Sequence, residues 1–304
     1  METKVPLFDS LGRPIWFDRE EFRTHVIPGN LKAEWDNPQE LYDFVVQIFR
    51  DDFIEEAEKG ADRLLELYQR DEGTLVLKAA VLLRKGDDAG AEELLLECIG
   101  KYPDRGVAHT FLARVYARRD DREGAISALK QGLRLEPNQE MALRWLVDLY
   151  REKKEDPVAA LEPFVEVPGA FWPQLELGRV HLEADRIPEA IRWFESAVEA
   201  TRGMRREQDP PSYEEEVAVM MSTAKMRQRG LRDEVIEFCQ KYWVPTFATP
   251  FAGLDYVQAL EEAGRVPEGI GVLQAMLPYL LPEYRSFVDQ RLHHLESKSL
   301  VRRR

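Results

Sequence analysis

Along most of the chain, apolar residues recur at three- and four-residue spacing, the rhythm of one helical face. Short polar or glycine-bearing breaks separate the apolar blocks. Between Glu72 and Gln139 these blocks make one helical hairpin, and the hairpin is written twice. Ala79, Ala91 and Pro103 of the first copy return as Ala113, Ala125 and Pro137, 34 residues on in each case. Small residues at the first two positions let antiparallel helices approach closely, and the proline stops the second helix before the next hairpin begins. The period predicts an all-α fold, an α-solenoid of about seven stacked hairpins in which each unit contacts only its neighbours.

The same step carries outward in both directions. Backward it lands on Val45 and Ala57, giving a first repeat with helices at Leu41 to Phe49 and Ile54 to Leu67. Forward it reaches Val147 and Ala159, so a fourth repeat begins near Glu140 with Leu143, Leu146, Val147 and Tyr150 on its buried face. Pro163 falls inside that repeat's second helix and must shorten or kink it. The register then slips: Gly178 takes the small-residue position 31 residues beyond Val147. Gly178 and Ala190 keep the internal spacing of 12, so Trp172 to Ala200 reads as a fifth hairpin. A charged, proline-bearing loop from Arg202 to Ser212 precedes two looser units, Val217 to Tyr242 and Phe251 to Met276. In both, Gly230 and Gly264 take the inter-helix turn that Gly86 takes in repeat two. Glu283 to Leu295 is a last amphipathic helix that caps the stack, and Val301 to Arg304 reads as a frayed tail.

The first 37 residues stand outside the period. Two short apolar runs around Ser10 to Arg13 predict a β-hairpin. Asp18 and Glu21 have capping-box spacing for a short helix ending near Pro28, with Asn30 to Trp35 as a connector. This segment reads either as a lid over the first repeat or as a docking element anchored by Trp16, Phe17 and Trp35. The expected organisation is a capping segment (1–37), five repeats (38–201), two divergent repeats (214–280) and a C-terminal helix and tail (282–304).

Composition narrows the function classes. Charged residues make up 32% of the 304, above the usual share of about 25%, as an elongated, surface-rich array requires. A net charge of −14 opposes general binding to nucleic-acid phosphates. Cys98 and Cys239 lie in separate helical patterns with no CxxC partner, which speaks against a disulfide or zinc and suits a reducing compartment. The start carries no apolar signal core and no window is long enough for a membrane span, so a cytoplasmic protein without membrane contact is expected.

Aligned by its repeats, the chain resembles the tetratricopeptide repeat family, whose pattern is W-x2-L-G-x2-Y, then A-x3-F, then P. Repeat three offers His109, Leu112, Ala113 and Tyr116, then Ala125 and Leu129, then Pro137. Repeat five offers Leu177 and Gly178, then Ala190 and Phe194. The leading tryptophan is absent throughout. The resemblance implies a scaffold that binds a partner segment in a groove lined by each unit's first helix.

On that footing, first-helix positions three or four apart share the groove face. They are Tyr42, Val46, Phe49 and Arg50 in repeat one, and Val76, Ala80, Leu83 and Arg84 in repeat two. Repeat three gives Thr110, Arg114, Ala117 and Arg118; repeat four gives Arg144, Asp148, Arg151 and Glu152. Repeat five gives Trp172, Leu175, Arg179 and Leu182, and the last two repeats give Met220, Ala224, Arg227 and Phe251, Leu254, Gln258. An acidic chain thus gathers arginines on its expected inner wall, with Arg50, Arg84 and Arg118 one period apart. A helix-dipole role is the alternative to partner binding for those three, since each sits in a last turn. Pairing is the alternative role for the others: Arg144 with Asp148, Arg179 with Glu183, and Arg114 with Asp148 of the next repeat. The family's carboxylate clamp of lysine and asparagine is not matched, since no position above carries either.

No nucleophile elbow or phosphate loop is present, and His25, His109, His181, His293 and His294 have no metal-ligand spacing. Neither catalysis nor a cofactor is expected. The leading expectation is a scaffold or adaptor holding a partner through apolar anchors Tyr42, Phe49 and Trp172 and through arginines that meet acidic side chains. The second is an assembly subunit that self-associates through its terminal elements.

Overall fold

The computed structural model describes residues 4–8, 14–203 and 209–301. The chain is an α-solenoid of antiparallel hairpins, divided into two compact units, Met1–Glu136 and Pro137–Arg304. The predicted tip of the β-hairpin, part of the loop before Ser212 and the predicted frayed end fall partly or wholly outside the described residues.

In the first unit, β1 (Lys4–Phe8) pairs antiparallel with β2 (Pro14–Asp18), with Lys4 opposite Asp18. Asp18 then caps a helix, its carboxylate accepting from the amides of Glu20 and Glu21 at 2.9 and 3.2 Å. That helix does not end near Pro28 and no connector follows. It runs as α1 (Arg19–Glu21), a π turn (Phe22–Val26) and α2 (Ile27–Glu34). Pro28 has no N–H for the i−4 carbonyl, and the wider turn just ahead of it opens the ladder so the helix can continue. Phe22, Ile27 and Leu31 are buried with Leu41, Val45 and Ala57 of the first hairpin.

That hairpin is α3 (Pro38–Arg50) and α4 (Ile54–Leu67). The next two are α5 (Glu72–Lys85) with α6 (Asp88–Lys101), and α7 (Val107–Arg118) with α8 (Arg122–Leu135). Val45, Ala57, Ala79, Ala91, Ala113 and Ala125 are all buried, so the small-residue positions lie where helices cross. Each first helix turns into its second through one left-handed residue: Asp52 (φ 64°), Gly86 (φ 94°) and Asp120 (φ 59°), one period apart. Asp87 and Asp121 then cap the second helices by accepting from the amides of Gly90 and Gly124.

The second unit opens with α9 (Glu140–Glu152). Pro163 limits its partner to α10 (Pro157–Leu161) followed by one 3₁₀ turn, as the sequence requires. Gln174 ties down the irregular stretch that follows, donating to the carbonyls of Val165 and Ala170 at 3.2 Å each. Then come α11 (Trp172–Glu183) and α12 (Ile187–Arg202), α13 (Tyr213–Gln228) and α14 (Arg232–Tyr242), α15 (Phe251–Glu262) and α16 (Val266–Met276), and α17 (Pro282–Val301). One core runs from Phe171 to Leu295 through these helices.

Candidate partner-binding surface

Charge and burial decide which first-helix positions can meet a partner. In the first unit α5 is buried all round, from Thr74 to Leu83, between α4, α6 and α7. Val76, Ala80 and Leu83 are therefore covered. Even Lys78 is buried, with its ammonium 2.6 Å from Asp62 and 3.4 Å from Glu58 of α4. The open first-helix surface of this unit belongs to α3 and α7.

On α3, Tyr42, Val46 and Arg50 form one row and Asp43 and Gln47 begin the next, which the C-cap Asp51 continues. Together they line an open recess of about 520 Å³. Burial, aided by the charge of Asp71, raises the Tyr42 hydroxyl above its ordinary pKa, so it stays a hydrogen-bond donor. Phe49 is half-buried against the core of the first hairpin. Arg50 is exposed and has no ion pair among the described residues.

The other two members of the periodic arginine row are engaged. Arg84 pairs with Asp52, the left-handed residue of the preceding turn. Arg118 donates to the Leu83 carbonyl at 2.6 Å and lies 2.8 Å from Asp88. A last-turn arginine stands beside the turn of the preceding hairpin, so the period generates a staple between hairpins as well as a dipole contact. Arg114 is different: it is exposed, its guanidinium lies 4.8 Å from the Phe111 ring centroid, and no carboxylate among the described residues pairs with it.

In the second unit the arginines form a network. Arg144 pairs with Glu140 at 2.7 Å and approaches Glu176 at 3.9 Å, in place of the expected Asp148. Glu176 is only 3% exposed and receives a bidentate bond from Arg179, which also pairs with Glu183 as expected. Burial works against the Arg179 charge, but the bonds and charges of Glu176 and Glu183 outweigh it and hold the guanidinium above its ordinary pKa. Arg151 pairs with Glu183 and lies 3.7 Å from Asp148. Burial raises the Glu183 pKa, yet Arg151 and Arg179 bring it below the ordinary carboxylate value. Arg227 pairs with Asp255 at 2.5 Å.

Leu175 and Leu182 are buried, since α11, like α5, is enclosed on nearly every side. Trp172 remains half-exposed beside Phe171. It lines a narrow cleft with Arg144, Met221 and Lys225. Lys225 has no ion pair among the described residues and was missed from sequence because it falls one position past Ala224 in the three-and-four series. A lysine does therefore reach this side of the fold.

The family model for the tetratricopeptide repeat matches residues 112–173. Those residues carry the tetratricopeptide repeat pattern. The hairpins on either side keep the same architecture. No curated protein sequence matches it. Among solved structures, yeast Tom70 is 11% identical with a TM-score of 0.48, covering 93% of this chain and 60% of its own. MamA is 18% identical with a TM-score of 0.35, covering 59% and 98%. YrrB, described as a TPR protein with an unusual peptide-binding site, is 13% identical with a TM-score of 0.35, covering 59% and 93%.

The reactive side chains of this helical array are muted. Burial lowers the pKa of His109 and His181, and pushes the Cys98 thiol up to about 11 and the Cys239 thiol further. Among the described residues no group of histidine, cysteine and carboxylates is placed to hold a metal, and no helix is long and apolar enough to cross a membrane.

Proposed function

We propose that the protein is a scaffold that holds acidic segments of a partner protein against open first-helix surfaces within each of its two units. The observation that supports this reading is selective pairing. Arg84, Arg118, Arg144, Arg151, Arg179 and Arg227 are matched by the chain's own carboxylates. Among the described residues Arg50, Arg114 and Lys225 are not, in a chain whose net charge of −14 offers carboxylates in excess. A cation left unmatched under those conditions is available to an external anion, and charge-assisted bonds to arginine are among the stronger polar contacts. Tyr42 and Val46 beside Arg50 supply an apolar floor, and Asp43 and Asp51 line the same recess. Phe49 and Trp172 are the further apolar supports in this reading.

The test is fluorescence anisotropy of the full chain with labelled peptides that share aromatic residues and differ only in Glu or Lys. The Glu peptide binds more tightly, and Arg50→Glu with Arg114→Glu weakens it at least tenfold while the helical circular dichroism is unchanged. Equal binding of the two peptides contradicts the reading.

A second reading, self-association through terminal elements, is favoured by exposed aromatics there: Trp16 on β2 is 57% exposed and Phe287 on α17 is 59% exposed. Sedimentation of the Trp16→Ser and Phe287→Ser variants tests it, since loss of an oligomer in either supports assembly.

A further inference from the structure

The recess on α3 holds both signs of charge unspent. Arg50 makes no ion pair or hydrogen bond among the described residues, and neither does the Gln47 side chain. Asp43 accepts one bond, from Gln39 at 3.2 Å. Burial holds the Asp51 carboxyl above its ordinary pKa against the charge of Arg19, the mark of a carboxylate short of counter-charge. The helix keeps these groups from neutralising one another. Arg50 and Asp51 are consecutive and do not face each other, and Asp43 lies about 10 Å of helix rise from Arg50. Each row of α3 advances about 6 Å per four residues. An extended chain advances about 6.6 Å per two residues and turns alternate side chains to opposite sides. A segment laid along the helix therefore keeps alternate residues in step with Tyr42, Val46 and Arg50 and turns the intervening ones toward Asp43, Gln47 and Asp51. The recess of about 520 Å³ is open to such a segment. Its lining carries one guanidinium and two carboxylates, which disfavours a dianionic phosphate and calls for an acid and a base together.

We infer that α3 reads an extended, mixed-charge segment of the partner protein. Its carboxylate side chain lies on Arg50, an apolar residue two positions away lies over Val46, and a basic residue next to the acid faces Asp51. This rests on the acidic-segment reading above and specifies the sequence that one of its surfaces accepts. The acid gains a charge-assisted bond from a guanidinium that has spent none of its donors inside the chain. The base supplies the counter-charge that Asp51 lacks. Gln47, between the two rows' charges, offers a donor and an acceptor to the segment's backbone.

Labelled peptides titrated by anisotropy into the full chain test this. One peptide embeds Leu-Ala-Glu-Lys in a Gly-Ser frame and is made in both chain directions. Its isomer, Leu-Glu-Ala-Lys, has the same composition and charge but turns the acid to the wrong side. The first arrangement, in its better direction, binds roughly tenfold tighter than the isomer, the size of one charge-assisted bond. Gln in place of Glu loses a similar factor, and Arg50→Gln abolishes that difference. Gln in place of Lys loses roughly threefold, the size of a partly exposed ion pair, and Asp51→Asn abolishes that loss alone. Asp51 is bonded within the fold through its backbone groups, so Asp51→Asn leaves folding intact, which a thermal melt verifies. Equal binding of the two isomers, or a preference for Lys that survives Asp51→Asn, overturns the assignment. If Glu is still preferred over Gln in that case, and Arg50→Glu with Arg114→Glu removes the preference, the broader reading survives. If no Glu peptide binds better than its Gln counterpart, both are overturned.

Discussion

At the scale of single residues, the fold depends on a few close approaches. Gly178 faces the Phe194 ring, and a Cβ there would fall inside the ring's contact radius. Gly178→Ala should therefore cost about 1–3 kcal/mol through overpacking, read as a lower urea midpoint. A neutral result would mean that the two helices do not cross there. The buried Glu176 is a second such point. Glu176→Gln leaves part of the Arg179 charge unmatched and should cost about 3 kcal/mol, the lower end for breaking a buried pair, because Glu183 remains. Glu176→Leu with Arg179→Met should recover most of that loss, since an apolar pair of similar size often replaces a buried ion pair at little cost. Gly178 was visible in the sequence because it repeats a small-residue position. The partners of Arg144 were not: reach across helices, not spacing along one helix, brings Glu176 to it.

At the scale of elements, the inter-helix turns carry the period as firmly as the alanines do. Left-handed residues occur at Asp52, Gly86 and Asp120, then Lys154 and Asp185, then Gly230 and Gly264. The step from Lys154 to Asp185 is 31, the same slip as from Val147 to Gly178. Only the glycines announced these turns in the sequence, because a lysine or aspartate at such a site has no distinctive local signature. Lys154→Gly should gain about 0.5–1 kcal/mol, relief of left-handed strain exceeding the entropy lost by glycine. Gly264→Lys should lose a similar amount. Thermal melts of the two variants check both signs. The N-terminal helix was misread for a related reason. Pro28 is a strong stop signal in isolation, and the π turn that admits it leaves no mark in the residue pattern.

At the scale of the whole molecule, stability depends on ion pairs between hairpins, and this predicts a pH response. Glu58 is held below the ordinary carboxylate value of 4.5 by Lys85, Glu97 by Arg70, and Glu261 by Lys298. Each carboxyl releases its proton more readily in the folded chain, so its contribution is full above 4.5 and is lost as pH falls through its lower folded value. Burial holds Asp255 and Glu72 above their ordinary range, and their protonation offsets part of that loss. His109 and His181, buried with lowered pKa, add a loss that begins as pH drops through the ordinary histidine value of 6.5, because the unfolded chain then binds more protons. The melting temperature should decline from pH 7.5 and fall more steeply below 4.5. A midpoint unchanged down to pH 4 would contradict this.

The fold class was legible because a 34-residue period constrains many positions at once. The binding surface was legible only in part. Which arginines remain available depends on whether a carboxylate from another helix reaches them, and α5 and α11 are covered by neighbours the sequence does not place. The most direct measurement of the central claim is a charge swap. The full chain and its Arg50→Glu, Arg114→Glu, Lys225→Glu variant are titrated with matched Glu and Lys peptides at low and high salt. The account predicts that the native chain prefers the Glu peptide at least tenfold, that the preference fades as the Debye length shrinks to about 3 Å at 1 M salt, and that the variant prefers the Lys peptide. An unchanged preference in the variant would contradict it.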